Sequence, residues 1–323
     1  MKIFVTGGAG YIGSVCVEEL SRAGHEVTVF DHLVEGHRSA VDSRARFVQG
    51  DLADRAAVTR ALAENKAETV MHFSGSALVG ESMSNPAKYF RNNVANGVNL
   101  LDAMAECGVR KIIFSSSCAT YGNPERVPIT EDHPQRPLSP YGLSKMMFEQ
   151  ILKWHETAHQ IRHVILRYFN AAGGTEKHGE HHGMETHLIP IVLSVALGKK
   201  ERVEIFGTDY DTPDGTCIRD YVHVSDVARA HILALQKKES AVYNLGNGEG
   251  FSVQQVLHAA RRITGHPIPA IEKPRRTGDA SRLIAANHRI TRELGWVSQH
   301  PRIDRIIESA WKWHCAHPEG YPD

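Results

Sequence analysis

The chain has 323 residues, with 37 lysines and arginines balanced by 37 aspartates and glutamates, and a formal charge of zero. That length carries one large domain or two coupled ones, and that balance offers nothing to nucleic acid or to an anionic membrane. Cys16, Cys107, Cys118, Cys217 and Cys315 are odd in number and contain no C-x-x-C pair, which argues against a disulfide framework or a zinc knuckle and for a reducing compartment. The N-terminal apolar run is short and ends in glycines, unlike a secretory signal, and no apolar run reaches membrane-span length. A cytoplasmic protein is expected.

The first element is a strand at 2–6 that runs into Gly7, Gly8, Gly10 and Gly13, followed by a helix over 11–24. Without a Cβ, such a turn can approach a pyrophosphate closely, and the N–H groups at the helix start point toward the anion. Gly8, Gly10 and Gly13 satisfy G-x-G-x-x-G, and Gly7, Gly10 and Gly13 satisfy G-x-x-G-x-x-G, so two registers are open. The second strand, 27–31, ends in Asp31 at the offset where a carboxylate accepts hydrogen bonds from an adenosine ribose. Its charge would repel a 2′-phosphate, which favours NAD over NADP.

Further strands are expected at 46–49, 69–73, 110–115 and 162–168, separated by helices at 54–64, 86–107 and 141–159. This alternation predicts an α/β fold: a Rossmann-type, doubly wound parallel sheet with ligands beyond the carboxyl ends of its strands. Asp51 and Leu52 follow the third strand, Phe73 the fourth, Ser115–Ser117 the fifth and Phe169–Asn170 the sixth. After Gly173 come a polar loop, a helix near 187–198, a strand at 203–206, a helix at 225–236 and a strand at 242–246 that can rejoin the main sheet. The expected division is a dinucleotide-binding domain over 1–172, rejoined by about 220–248, and a smaller α/β substrate domain over 173–323. Within the loop, His178-Gly-Glu-His-His-Gly183 lacks helical i, i+4 pairing and an evident fourth ligand. It reads as a surface loop, and no metal is expected.

Tyr141 and Lys145 lie one turn apart at the start of the helix over 141–159, entered through Ser139 and Pro140. A phenol with a pKa near 10 is a poor base at neutral pH. A cation one turn away, with the positive nicotinamide ring, would lower it and permit proton abstraction from an alcohol that Ser117 orients. Tyr141, Lys145 and Ser117 are therefore the expected catalytic set, and hydride transfer is the expected chemistry.

Thr6-Gly-Gly-Ala-Gly-Tyr-Ile-Gly13, Ser115-Ser-Ser117 with Ala119-Thr-Tyr-Gly122, Tyr141-x-x-x-Lys145 and Arg167-Tyr-Phe-Asn170 resemble the extended short-chain dehydrogenase/reductases. Among these the chain is similar over its whole length to the nucleotide-sugar 4-epimerases. The supporting segments are Val79-Gly-Glu-Ser82, Asn92-Asn-Val94, Asp214-Gly-Thr216, Arg219-Asp-Tyr-Val-His223, Arg275-Arg-x-Gly-Asp279 and His317-Pro-Glu-Gly-Tyr-Pro-Asp323. The resemblance implies reversible epimerisation at C4 of a UDP-hexose, interconverting UDP-glucose and UDP-galactose. The route is a 4-keto sugar that turns within the site, over an NAD that stays bound. It assigns Gly7, Gly10, Tyr11, Ile12, Gly13, Asp31, Asp51, Leu52, Phe73, Asn92, Tyr141, Lys145 and Phe169 to the cofactor. Ser117, Tyr141, Asn170, Leu188, Phe206, Arg219, Arg276 and Asp279 go to the UDP-sugar, with the two arginines suited to a diphosphate.

Three departures stand out. A lysine found in many such enzymes is absent from Ser74-Gly-Ser-Ala-Leu78. His187 stands where many have a substrate-contacting asparagine, and Leu283 occupies a position that gates the sugar pocket. Leucine is intermediate in bulk, so N-acetylated UDP-sugars stay open. UDP-xylose and UDP-arabinose stay open too, because epimerases of those sugars differ in pocket residues rather than in the Tyr–Lys pair. A non-catalytic NAD sensor is a further alternative, against which the intact Tyr141 and Lys145 argue. Dehydration is disfavoured because Ser117-Cys118-Ala119 contains no carboxylate. A homodimer is also implied, with Val98, Leu101, Met104, Met147 and Ile151 on the helices 86–107 and 141–159 as its seam.

Overall fold

A computed structural model of the chain describes residues 1–276 and 279–322, so Gly278 and Asp323 of the motifs above lie outside the described residues. The first half runs β1 (Lys2–Thr6), α1 (Tyr11–Arg22), β2 (Glu26–Asp31), β3 (Arg46–Gln49), α2 (Arg55–Asn65), β4 (Thr69–His72), α3 (Val79–Ser84), α4 (Pro86–Tyr89), a π-helical turn (Phe90–Ala95), α5 (Asn96–Glu106), β5 (Lys111–Ser117), α6 (Pro140–His159) and β6 (Arg162–Tyr168). The second half runs β7 (Asn170–Ala172), α7 (Leu188–Ala196), β8 (Val203–Phe206), β9 (Ile218–Arg219), β10 (Tyr221–His223), α8 (Val224–Ala234), β11 (Ala241–Leu245), β12 (Phe251–Ser252), α9 (Val253–Thr264), β13 (Ala270–Lys273), β14 (Arg282–Leu283), α10 (His288–Leu294) and α11 (Ile303–Ala316).

Seven strands form one sheet in the order β11-β6-β5-β4-β1-β2-β3, and every pairing in it is parallel. The strands are apolar throughout because both faces are covered. Along β1, Ile3 and Val5 enter a core shared with α1 and α8, while Phe4 enters the opposite core with α2, α5 and α6. Helix entries are set locally: Asp54 accepts the Ala57 N–H at 3.0 Å to cap α2, and Ser139 accepts the Gly142 N–H at 3.2 Å to cap α6. Such caps contribute about 1 kcal/mol each.

The order of strands reverses between β1 and β4, and that switch point opens the crevice where ligands of such sheets bind. Beyond β6 a smaller α/β unit is built around a separate core that includes Ile189, Leu193, Val256, Leu257, Ile306 and Ile307, joining α7, α9 and α11. Its strands pair as β7 with β10, β8 with β13, and β9 between β12 and β14. The chain crosses back to the large sheet at β11, which pairs with β6 from Ala241↔Val164 to Leu245↔Tyr168.

Two expectations change. Ser115–Ser117 do not follow the fifth strand but belong to it, because β5 stays paired to β6 as far as Ser117↔Tyr168. Leu101 and Met104 cannot form a dimer seam: both are completely buried in the core under the sheet. Of the residues in that seam Met147 is exposed, at 37%, and Trp154, seven residues further along α6, is 73% exposed. All five cysteines are free thiols. Among the described residues no helix is long and apolar enough to cross a membrane.

Candidate active site

A cleft of about 370 Å³ opens above the carboxyl ends of β1, β4, β5 and β6. Its floor is the glycine turn. Gly7 has φ +72°, and a Cβ there would strike the backbone of Phe73 and Ser74 at the end of β4. A Cβ on Gly13 would run into the Gly7 carbonyl oxygen and crowd Gly8 Cα at 2.9 Å, whereas one on Gly10 would meet only Gly7 O, at 3.5 Å. Gly7 supplies the turn, Gly10 leaves an open face, and Gly13 lets α1 pack against the turn. This is the 7–10–13 register. Gly8 instead faces the core, its Cβ position 2.9 Å from both Val29 methyls.

Gly10 is the N-cap of α1 and provides no side-chain cap, so the first N–H groups of the helix are left to face the cleft. Asp31 ends β2 beside this turn. It accepts the N–H groups of Ala9 and Leu33, each at 3.0 Å. Burial raises its pKa, but the hydrogen bonds from His32, Leu33 and Ala9 outweigh that and keep it below the ordinary value. A buried, ionised carboxylate next to an open, Cβ-free helix start suits a ribose and a pyrophosphate.

β5 and α6 bring Ser117, Tyr141 and Lys145 to one wall of the cleft. The Lys145 Nζ donates to the Ser115 carbonyl at 2.9 Å and lies 5.0 Å from the Phe114 ring centre and 6.0 Å from that of Tyr141. Burial lowers Lys145 to about 8, against the opposing attraction of Glu149 one turn further along α6. The expectation that Lys145 lowers the Tyr141 pKa is not met by the protein alone. Burial raises the phenol to about 12, and the influence that opposes it is a hydrogen bond with Ser117. Beneath them His72 bonds Thr6 Oγ1 at 2.7 Å, and burial followed by the nearby Lys145 holds it neutral, at about 3.

Gly7, Gly10, Tyr11, Ile12, Gly13, Phe73, Ser117, Tyr141, Lys145, Phe169, Asn170, His187, Arg219 and Leu283 all line the cleft. Asp51, Leu52, Asn92 and Leu188 do not. Asp51 is exposed and accepts the Ala53 N–H at 2.9 Å, and Leu52 is buried in the core. Asn92 donates to Ser76 Oγ at 3.0 Å, and Leu188 begins α7 and packs against the core of the smaller unit. Phe206, Arg276 and Asp279 stand off on the smaller unit. The Arg276 guanidinium lies 3.8 Å over the Phe206 ring centre, and Asp279 is 3.6 Å from Arg219, which itself reaches the cleft.

Several positioning residues escaped the sequence reading. Asn93, buried in the π-helical turn, accepts the Ser76 N–H at 2.8 Å and donates to Ser76 O and Ser144 Oγ, each at 3.0 Å. Asp220 accepts the N–H groups of Asn247, Gly248 and Ala285 at 2.7, 3.0 and 3.0 Å, which ties the strand carrying Arg219 to two other segments. Lys88 lines the cleft close to the stretch that lacks the expected lysine and pairs with Glu81 at 2.8 Å. Glu185 and His187, outside the 178–183 stretch, lie beside Glu180 and His182, with one potential donor atom from each of the four within 4.8 Å of the others.

A second depression of about 460 Å³ lies against α1 and α11. Its charges already satisfy one another, Arg22 and Lys177 with Glu18 at 3.1 Å each and Lys312 with Glu308 at 3.1 Å. It carries no comparable reactive set.

A Rossmann sheet, a 7–10–13 glycine turn with a ribose acid, and a Ser–Tyr–Lys wall define the short-chain dehydrogenase/reductase class of dinucleotide-dependent enzymes. More narrowly, the chain belongs to the NAD dependent epimerase/dehydratase family, whose description matches residues 3–246. It is 51% identical to a UDP-glucose 4-epimerase of Streptococcus mutans, over 100% of this chain and 99% of that one. Its fold is similar to that of a Bifidobacterium longum UDP-glucose 4-epimerase solved with NAD+ and UDP, with a TM-score of 0.96, 39% identity and coverage of 99% and 100%. It is likewise similar to a UDP-Glc/GlcNAc 4-epimerase of Campylobacter jejuni, with a TM-score of 0.85, 39% identity and coverage of 97% and 99%.

Proposed function

We propose that this protein interconverts UDP-glucose and UDP-galactose by reversible epimerisation at C4, with NAD as a resident cofactor. The observation that carries the reading is the convergence of Ser117, Tyr141 and Lys145 on the same cleft as the glycine turn. When bound, NAD would supply the acceptor for the C4 hydride of the sugar and the donor that restores it. The groups suited to holding it are the first turn of α1, Asp31, Phe73, Asn92, Lys145 and Phe169, with the backbone at Asp51 and Leu52.

The remaining chemistry falls to side chains. The Tyr141 oxygen takes the proton of the sugar 4-hydroxyl and gives it back after the keto sugar has presented its other face. Ser117 Oγ orients that hydroxyl and shares a hydrogen bond with the phenol. Because burial holds the free phenol near 12, opposed within the protein by its hydrogen bond with Ser117, the positive charge of the oxidised cofactor would supply the further lowering needed for base catalysis. Arg219 and Arg276 meet the diphosphate, and Phe206 supports Arg276 through its ring face. Asn170, His187, Asp279 and Leu283 complete the substrate contacts, with the backbone at Leu188.

A homodimer belongs to the same proposal, its contact face being α6 with Met147 and Trp154 rather than the buried Leu101 and Met104. Sedimentation of the wild type and of Trp154→Glu tests it: a monomer in both removes the dimer. The function is tested by purifying the protein and following a panel of UDP-sugars. Turnover of UDP-glucose and UDP-galactose supports the reading. Turnover only of N-acetylated sugars moves the substrate past Leu283, and no turnover of any UDP-sugar favours a sensor.

A further inference from the structure

The loop between β7 and α7 brings four potential metal donors together beside the cleft. Glu180 Oε1 is 2.8 Å from His187 Nδ1 and 3.8 Å from His182 Nδ1. Glu185 reaches both rings, with Oε1 3.2 Å from His187 Nδ1 and Oε2 3.1 Å from His182 Nδ1. One donor atom from each of the four residues lies within 4.8 Å of all the others. Tetrahedral zinc with bonds of about 2.0–2.2 Å places its donors roughly 3.3–3.6 Å apart. The observed separations fall on both sides of that edge length.

We propose that Glu180, His182, Glu185 and His187 form a structural site for one divalent transition cation, with Zn2+ its first occupant. Two carboxylates neutralise the charge of such an ion, and two imidazoles select it over Mg2+ or Ca2+, which take oxygen donors. Four protein ligands leave no open position, the mark of a structural rather than a catalytic site.

A cluster of paired charges is the competing explanation, and one atom speaks against it. His182 Nδ1 hydrogen-bonds Glu185 Oε2 at 3.1 Å, whereas His187 Nδ1, buried and 2.8 Å from Glu180 Oε1, lacks the alignment of a regular hydrogen bond. An imidazolium paired with that carboxylate would direct its N–H along the line of approach. An unaligned imidazole nitrogen and carboxylate oxygen this close can share a cation seated to one side of both. Glu185 is already oriented, since its Oε1 accepts the N–H groups of Thr186 at 2.8 Å and His187 at 2.7 Å. Glu180 is buried, so its carboxylate has few solvent partners to lose.

The position gives the ion a task. Glu180, His182 and His187 line the cleft, and His187 is the residue from which α7 starts. A bound cation would clip the loop to the cleft wall at the entrance to α7.

The test uses the full-length, tag-free protein, stripped with a chelator and dialysed. Zn2+ alone is titrated calorimetrically with elemental analysis of the bound metal, and Co2+ is titrated in parallel for its visible absorption. Uptake of one Zn2+ per chain, an intense tetrahedral Co2+ spectrum, and at least ~10-fold weaker binding in His182→Ala and Glu180→Gln are expected. Clearly substoichiometric uptake, a weak octahedral Co2+ spectrum, or wild-type affinity in both variants would overturn the site. The Co2+ spectrum is read on the wild type, so a misfolded variant cannot conceal a negative result. Neither readout depends on UDP-sugar turnover, so the outcome is separable from that of the epimerase assay.

Discussion

Arg167 on β6 and Glu149 on α6 meet beneath the active-site wall, with Nη2 and Oε2 2.6 Å apart and the two side chains 6% and 1% exposed. Both ions are otherwise satisfied. Arg167 donates to the Tyr121 hydroxyl at 2.8 Å, and Glu149 accepts from Ser116 Oγ at 2.5 Å and Gln135 at 2.9 Å. Removing one partner leaves the other charged and buried, which costs about 3–5 kcal/mol. Glu149→Ala should therefore lower the urea midpoint sharply, and a well-packed apolar replacement of both residues should recover much of the loss. An unchanged midpoint in Glu149→Ala would show that the pair is not needed for stability.

Tyr141→Phe removes the atom proposed to carry the proton while keeping the ring. The variant should retain NAD, seen by absorbance of the purified protein, and lose at least ~10²-fold in turnover. Turnover within a few-fold of wild type would reject Tyr141 as the acid and base.

The glycine register makes a contrast between two alanine substitutions. Gly13→Ala drives a methyl into the Gly7 carbonyl and should destabilise by roughly 1–3 kcal/mol or more, as overpacking does. Gly10→Ala has space within the protein and should keep its melting temperature while weakening NAD retention, because its open face is where the cofactor would lie. Equal melting temperatures in the two variants would contradict the 7–10–13 assignment.

Arg276, proposed above as a diphosphate contact, is exposed and is held over Phe206. Loss of a charged hydrogen bond of about 1.5–3 kcal/mol predicts that Arg276→Ala raises KM for UDP-sugars by roughly tenfold or more, with a smaller change in kcat. A KM equal to that of wild type would remove Arg276 from the substrate contacts.

Burial holds His72 at about 3, and His223 and His231 at about 4, each below the ordinary 6.5. These rings are neutral in the folded state, and the unfolded chain binds more protons as pH falls below 6.5. The stability they preserve is present above that value and is lost on acidification toward pH 4, by up to ~1.4 kcal/mol per pH unit per group. His231→Gln should flatten the slope of unfolding free energy between pH 6.5 and 4.5, whatever it does at pH 7. An unaltered slope would assign the acid lability to other groups.

The large sheet is legible in the sequence because each strand is buried on both faces and so reads as a short apolar run between helical patterns. β5 exceeds its expected end because Ser115, Ser116 and Ser117 are polar, yet they stay paired to β6 and two of them are buried. The dimer seam failed for a different reason. Helical spacing says that Leu101 and Met104 share a face, but not whether that face meets a partner or its own sheet. The donor cluster was hidden because its residues lie on an aperiodic loop, where spacing carries no direction. Ser252 and Gln255 form a capping box at the start of α9, a signal that could have placed that helix from the sequence.

β11 joins the sheet at β6, although much of the smaller unit lies between them in the chain. A nascent chain that has just released Tyr168 from the ribosome therefore presents β6 as an open edge, with a row of backbone groups able to pair with a strand from any neighbour. That edge is covered only once translation has passed Leu245 and β11 has docked. The interval of greatest aggregation risk during biosynthesis is thus set by the speed of translation through the intervening residues. Slow codons placed there should reduce the soluble yield of a protein whose finished form is unchanged.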